Sequence, residues 1–222
     1  MAKNRILIVE DDRDIAEGIG LNLELSDYTY LIIDDGTAAA EHLKHDSSFD
    51  LALLDIMLPG LDGFALMSYM QQYNIPVLYL SAKSDIPSRV RGLRDGAEDY
   101  IVKPFSMLEL LVRMEKILDR NGKLNKILRF QDITLDTEKR TVVRSGSAIA
   151  LQPLEFDLLA KLMRYQNCTL PRERLLNEIW GIDFAGGTRT VDIHVAHLRK
   201  KLGLENAIQT VSKVGYRLED GR

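Results

Sequence analysis

One cysteine, Cys168, stands in 222 residues. That excludes a disulfide framework or a cysteine zinc site within one chain and leaves packing as the thiol's expected role. No apolar run approaches the ~20 residues that span a bilayer. Met1-Ala2-Lys3-Asn4 leads into a predicted strand rather than a signal peptide, so a cytoplasmic location with no membrane partner is expected. Neither a Gly-Lys-Ser phosphate loop nor a Gly-x-Gly-x-x-Gly turn occurs, which removes support for nucleotide hydrolysis and dinucleotide chemistry. The net charge of −4 is small but unevenly placed. Residues 1 to 120 carry 12 Lys+Arg against 21 Asp+Glu, net −9, and residues 121 to 222 carry 17 against 12, net +5. An acidic half joined to a basic half points to a second half that meets a polyanion, with nucleic acid the leading choice.

What the first half does have is a pair of apolar runs that stop at carboxylates. Ile6-Leu7-Ile8-Val9 runs into Glu10-Asp11-Asp12, and Leu51-Ala52-Leu53-Leu54 runs into Asp55. Short continuous apolar runs read as strands buried on both faces, hence a parallel sheet, and such sheets bind ligands beyond their strand C-termini. Glu10, Asp11 and Asp55 then share one crevice. Carboxylates so close raise one another's pKa unless a hard divalent cation, a lysine or both sit among them. Predicted strands at Arg5 to Glu10, Thr29 to Ile33, Asp50 to Leu54, Pro76 to Leu80 and Asp99 to Val102 alternate with helical spacings. Five βα units predict a doubly wound, five-stranded parallel α/β sheet. Turn chemistry at Leu58-Pro59-Gly60-Leu61-Asp62-Gly63 follows Asp55, with Asp62 placed to cap the next helix. Ser81 ends the fourth strand and Lys103-Pro104-Phe105 the fifth, which brings a hydroxyl and an ammonium to the carboxylates.

Glu10-Asp11-Asp12, Asp55, Ser81 and Lys103-Pro104-Phe105 at these strand ends resemble the receiver domain of two-component response regulators, a flavodoxin-like fold, over residues 4 to 120. The resemblance implies that Asp55 is the phosphoacceptor, phosphorylated by a sensor histidine kinase. It makes Asp11, Asp55 and the Met57 backbone carbonyl ligands of Mg²⁺, with Glu10 acting through water. Lys103 pairs with the phosphoryl group, and Ser81 and Tyr100 are the hydroxyl and aromatic of the switch. An aspartate-nucleophile phosphatase of another fold remains an alternative, although Met57 stands where such enzymes place a second acid. On the preferred reading the chain is no enzyme apart from Mg²⁺-dependent phosphorylation and dephosphorylation of its own aspartate.

The polar stretch 121–126 reads as a linker between a domain over 1–120 and another over 127–222. Short strands are predicted around Leu128 to Phe130, Ile133 to Asp136, Thr141 to Arg144 and Ala148 to Ala150. Helices follow near Pro153 to Tyr165, Arg172 to Ile179 and Arg189 to Leu202, then a hairpin from Ile208 to Val211 and Tyr216 to Leu218. That order suggests an α+β winged helix-turn-helix. In the third helix Val191, Val195, Leu198 and Leu202 share one face, and Arg189, His197, Arg199, Lys200 and Lys201 lie opposite, with Thr188 as cap. Leu151-Gln152-Pro153-Leu154-Glu155-Phe156, Arg189-Thr190-Val191-Asp192-Ile193-His194-Val195 and Gly215-Tyr216-Arg217 resemble the effector domain of the OmpR/PhoB family. The likeness implies major-groove reading by the third helix and minor-groove contact by Arg217. Arg189 and His194 match phosphate-contacting positions, although a histidine there serves packing equally well. Arg199 keeps an expected base-reading position, while Ala196 and His197 stand where arginines are frequent, so a different base preference is expected.

The resemblance further implies a homodimer formed on phosphorylation, with Arg89 against Glu109 and Asp99 against Arg113. A further family pair falls on two acids, Glu98 and Glu115. Double-stranded promoter DNA is the expected target and RNA polymerase a candidate further partner. The competing reading is a regulator of the same fold that works without phosphorylation.

Overall fold

The computed structural model describes residues 3–81, 94 and 96–220. It divides after Asn125 into two compact units. The first holds β1 (Arg5–Val9), α1 (Arg13–Leu25), β2 (Thr29–Ile33), α2 (Gly36–His45), β3 (Leu51–Asp55), α3 (Gly63–Gln72), β4 (Val77–Ser81), β5 (Asp99–Val102) and α4 (Met107–Arg120). The strands form one parallel sheet in the order β2-β1-β3-β4-β5. The helical unit expected between Leu80 and Asp99 lies largely outside the described residues.

Side-chain alternation sorts the core into two layers. Leu7, Val9, Ala52, Leu54, Val77 and Tyr79 pack with Ala39, Leu43, Leu66 and Met70 of α2 and α3. Their neighbours Ile6, Ile8, Leu51, Leu53, Leu78 and Leu80 are equally buried and point to the other face, where α1 packs on β1 and β2, and α4 on β3 and β5. The four described helices begin with a side-chain cap. Asp12, Asp35, Asp62 and Ser106 accept from the backbone N–H groups of Ile15, Ala38, Ala65 and Glu109. Such a cap is worth about 1 kcal/mol and fixes where each strand-to-helix loop ends.

The stretch expected to be a linker is held down by Asn4, a buried residue ahead of β1. Its Nδ2 donates to Asp50 Oδ2 at 3.0 Å and to the Lys123 carbonyl at 2.6 Å, and its Oδ1 accepts the Asn125 N–H at 2.9 Å. Residues 121–125 therefore belong to the first unit.

In the second unit β6 (Ile127–Phe130), β7 (Ile133–Asp136), β8 (Thr141–Arg144) and β9 (Ser147–Ala148) form an antiparallel sheet in chain order. Then come α5 (Pro153–Arg164), β10 (Leu170–Pro171), α6 (Arg172–Trp180), α7 (Arg189–Leu202), β11 (Ile208–Val211) and β12 (Gly215–Leu218). Three helices and a terminal hairpin make the winged-helix architecture. The short β10 was not expected, and it turns the hairpin into a three-stranded sheet, β10-β12-β11. It is admitted because Gly215 lacks a Cβ, which would stand 1.8 Å from the Leu170 carbonyl oxygen. Pro153 opens α5 behind a capping box of Gln152 and Glu155. Thr188 makes no side-chain cap for α7, because its backbone is already helical (φ −59°, ψ −17°). Cys168 is buried, and burial pushes its thiol pKa up.

Candidate functional site

The parallel register brings the expected crevice together at the C-terminal ends of β1, β3, β4 and β5. Glu10 follows β1 and is 1% exposed; Asp55 ends β3 and is 6% exposed. Glu10, Asp11 and Asp55 each place a carboxylate oxygen within 4.8 Å of the others. Lys103, just past β5, reaches back with Nζ 2.5 Å from Asp55 Oδ2 and 2.6 Å from Glu10 Oε1. The Lys103-Pro104 peptide is cis. Ser81 is buried at the end of β4, with its carbonyl accepting the Lys103 N–H at 2.9 Å, and Tyr100 is buried in the adjoining core layer.

The loop after β3 completes the pocket. The Met57 N–H donates to Asp55 Oδ1 at 2.9 Å, and the Met57 side chain is exposed. α3 starts so close that a Cβ on Gly63 would stand 2.2 Å from the Asp55 carbonyl oxygen. Glycine is the residue this approach permits.

Charge in the pocket is unbalanced. Burial pushes the Glu10 carboxyl up to about 7, and the Asp55 charge adds to the rise against the pull of Lys103. Burial alone would lower the Lys103 pKa, but hydrogen bonds to Asp55 and Glu10 outweigh it and hold the ammonium above its ordinary range. Glu10 Oε2 is also buried and lies 2.6 Å from the Lys103 ammonium, so both oxygens of the carboxylate share the one cation. Three carboxylates with oxygens within 4.8 Å of one another, against a single ammonium, fit a hard divalent cation.

On the second unit, α7 buries Val191, Val195, Leu198 and Leu202, and exposes Arg189, Ile193, Ala196, His197 and Lys200. His197 Nδ1 lies 3.4 Å from Oε1 of the buried Glu155, which also receives Lys201 Nζ at 2.6 Å. His194 is half-buried: its Nδ1 lies 2.9 Å from the Thr190 carbonyl oxygen, and its ring meets Trp180 edge-on at 4.9 Å.

Arg199 departs most from expectation. Its Nε and Nη2 donate to the Ile208 carbonyl at 3.1 and 2.5 Å, and Nη2 also to Thr210 Oγ1 at 2.9 Å. The guanidinium of the residue that the family likeness places at a base-reading position is thus bonded to the hairpin. Arg217 lies within β12, its Nε 2.5 Å from Glu219 Oε2. The hairpin tip presents Lys213, exposed at φ 59°.

The charges expected to bridge a dimer pair within the chain. Arg113 Nη1 lies 2.7 Å from Asp99 Oδ2, and Nη2 2.8 Å from Glu109 Oε1. Glu98 faces Arg120 at 3.8 Å. Arg89 lies outside the described residues. No helix among the described residues is long and apolar enough to cross a membrane.

An acidic pocket with one lysine on a five-stranded parallel sheet, joined to a winged-helix unit, defines a signalling receiver coupled to a nucleic-acid-binding output. Comparison with known proteins agrees. Residues 6–115 match the response regulator receiver domain, and residues 146–218 match the C-terminal domain of transcriptional regulatory proteins. The chain is 37% identical to the transcriptional regulatory protein YkoG of Bacillus subtilis (strain 168), over 99% of this chain and 100% of that protein. It is 38% identical to the response regulator ArlR of Staphylococcus saprophyticus, over 96% and 97% of the two. The solved structure of DrrB, an OmpR/PhoB homologue from Thermotoga maritima, covers 99% of this chain and 100% of its own at 27% identity, with a TM-score of 0.48. The chain belongs to the OmpR/PhoB-type response regulators, in which a receiver domain is followed by a transcriptional regulatory domain.

Proposed function

We propose that this regulator is switched by phosphorylation of Asp55. The observation that carries the reading is the convergence of Glu10, Asp11, Asp55, Ser81 and Lys103 at the ends of four parallel strands. A sensor histidine kinase offers a phosphohistidine; an Asp55 carboxylate oxygen attacks phosphorus, a P–O bond forms and the P–N bond breaks, returning the electron pair to the imidazole. Asp11, Asp55 and the Met57 carbonyl would hold Mg²⁺, with Glu10 acting through water. When bound, that ion supplies neutralisation of the phosphoryl oxygens. Lys103, already between Asp55 and Glu10, is placed to follow the new charge, and the hydroxyl of Ser81 and the ring of Tyr100 to adjust to it. The same site returns the group to water slowly, so that uptake and loss of the phosphoryl group on its own aspartate are the chemistry the protein performs.

The output is promoter DNA. The outward face of α7, with Arg189 and His197, enters a major groove, and the hairpin bearing Lys213 and Arg217 follows the adjoining minor groove. His194 adds its ring from the flank of the helix. Phosphorylated receivers pair, with Arg89, Asp99, Glu109 and Arg113 exchanging partners across the interface, and the bound dimer offers RNA polymerase a surface. All of this takes place in the cytoplasm.

Incubation with acetyl phosphate and Mg²⁺, followed by intact mass, tests the input. One phosphoryl adduct is expected on the wild type and none on Asp55→Asn. An unmodified wild type would favour the regulator that works without phosphorylation, and an undiminished adduct on the variant would remove Asp55 as the acceptor.

A further inference from the structure

We propose that Arg199 is a positioning residue, a brace that locks α7 to the hairpin so that the two meet DNA as one rigid piece. The inference rests on the DNA-binding reading above. It begins with an edge. In the order β10-β12-β11, strand β11 has one side unpaired. Ile208 faces Leu218 in the ladder, yet its N–H bonds to the Leu204 carbonyl rather than across to β12. The N–H and C=O of one strand residue point to the same side, so the Ile208 carbonyl also faces the open edge. A polar backbone group there needs a partner. Arg199 supplies it twice, through Nε and Nη2, and adds the Thr210 hydroxyl from the same edge.

A second grip on the hairpin comes from Asp192, seven residues earlier and therefore about 10 Å along the same helix at a 1.5 Å rise per residue. Its Oδ1 accepts the Tyr216 hydroxyl at 2.6 Å and Arg172 Nε at 2.8 Å. Tyr216 faces Thr210 in the ladder, and its ring takes Arg172 on one approach at 4.6 Å and Arg199 on another at 5.8 Å. Two grips two turns apart fix the orientation of hairpin to helix, not merely their contact. Three guanidinium–acceptor contacts held this way leave no free fork for guanine O6 and N7. Base choice then falls to Ile193, Ala196, His197 and Lys200, which share the outward face at steps of three and four.

The test uses the full chain and a duplex selected by the wild type from a random pool. Binding is measured for the wild type, Arg199→Ala, Arg199→Lys, Lys213→Ala and the double variant Arg199→Ala/Lys213→Ala, on the selected duplex and on its single-base variants. Hydrogen exchange of peptides from β11 and β12 is followed in the free proteins. Arg199→Ala is expected to weaken the selected duplex by about tenfold, equivalent to ~1.4 kcal/mol, while keeping the wild-type ranking of the single-base variants. Exchange in β11 and β12 rises and that in α5 does not. Lys213→Ala lowers the salt slope by about 0.9 in the wild type and by much less once Arg199 is gone, a non-additivity that direct contacts would not give. Arg199→Lys keeps one donor for the Ile208 carbonyl and restores part of the coupling. An altered ranking at one base pair under Arg199→Ala or Arg199→Lys, additive losses, or unchanged hairpin exchange overturns the brace while leaving the DNA reading intact. A wild type that selects no sequence overturns both.

Discussion

Replacing Lys103 with methionine keeps the unbranched stem, one atom shorter, and removes the only ammonium bonded to Asp55 and Glu10 among the described residues. The two carboxylates, with oxygens within 4.8 Å, are then left facing each other with Asp11 alongside. At an effective dielectric of ~20, two unit charges at that separation repel by roughly 3 kcal/mol, an upper bound below which proton uptake by Glu10, already up at about 7, brings the cost near neutral pH. Breaking a buried ion pair from one side typically costs about 3 to 5 kcal/mol. Lys103→Met should therefore destabilise the first unit by about 3 kcal/mol in EDTA. Saturating Mg²⁺ should return most of it, since a ligand at a hundred times its dissociation constant adds about 2.7 kcal/mol. Urea titrations read by hydrogen exchange in peptides from β1 and β3 measure the loss in the right unit. If the variant matches the wild type in EDTA, Lys103 is not the counter-charge of the pocket. If the loss is present but indifferent to Mg²⁺, the carboxylates are not the ion's ligands.

Other expectations come from single contacts. The Glu155 carboxyl is held below its ordinary range because hydrogen bonds from Lys201 and the Gln152 N–H, together with the nearby His197, outweigh its burial. A lowered folded pKa means stability present above the unfolded value and lost as pH falls through the folded one. The second unit, followed by Trp180 fluorescence in urea, should weaken below the model-peptide value of about 4.3, and Glu155→Gln should flatten that acid limb; parallel limbs would disprove the link. Gly63→Ala drives a methyl group onto the Asp55 carbonyl oxygen and should cost about 1 to 3 kcal/mol; an unchanged urea midpoint would show that the loop yields freely. Arg189→Ala should weaken selected and random duplexes alike and lower the salt slope by about 0.9, and a loss confined to the selected duplex would contradict a phosphate contact.

How much the sequence discloses depends on how local the cause is. Strand ends that stop at Glu10 and Asp55 are visible because burial on both faces leaves an unbroken apolar run, and the cap at Asp62 because an N-cap acts three residues away. The Arg199 contact is invisible for the opposite reason. A helical wheel shows that Arg199 leaves the apolar stripe, but not that a strand nine residues later lays an unpaired carbonyl against it. The same limit explains β10, a pairing of Leu170 with Tyr216 across the chain that no two-residue pattern announces. The family likeness pairs Asp99 with Arg113 across a dimer, and in the structure the same two meet within one chain.

Asn4 carries a consequence for length. Its Oδ1 holds the Asn125 N–H at 2.9 Å, and one residue later the Lys126 carbonyl is taken by the Thr137 N–H at 2.8 Å and its hydroxyl at 3.0 Å. The covalent tether between the units is thus a single peptide step with an anchor on each side. Backbone bonds from Lys123 and Leu124 to the Leu118 carbonyl hold the rest of the stretch, so Asn4→Ala would free the step at Asn125 alone. A side chain at the fourth position of the chain, more than a hundred residues upstream, thus helps fix where the first unit's chain ends.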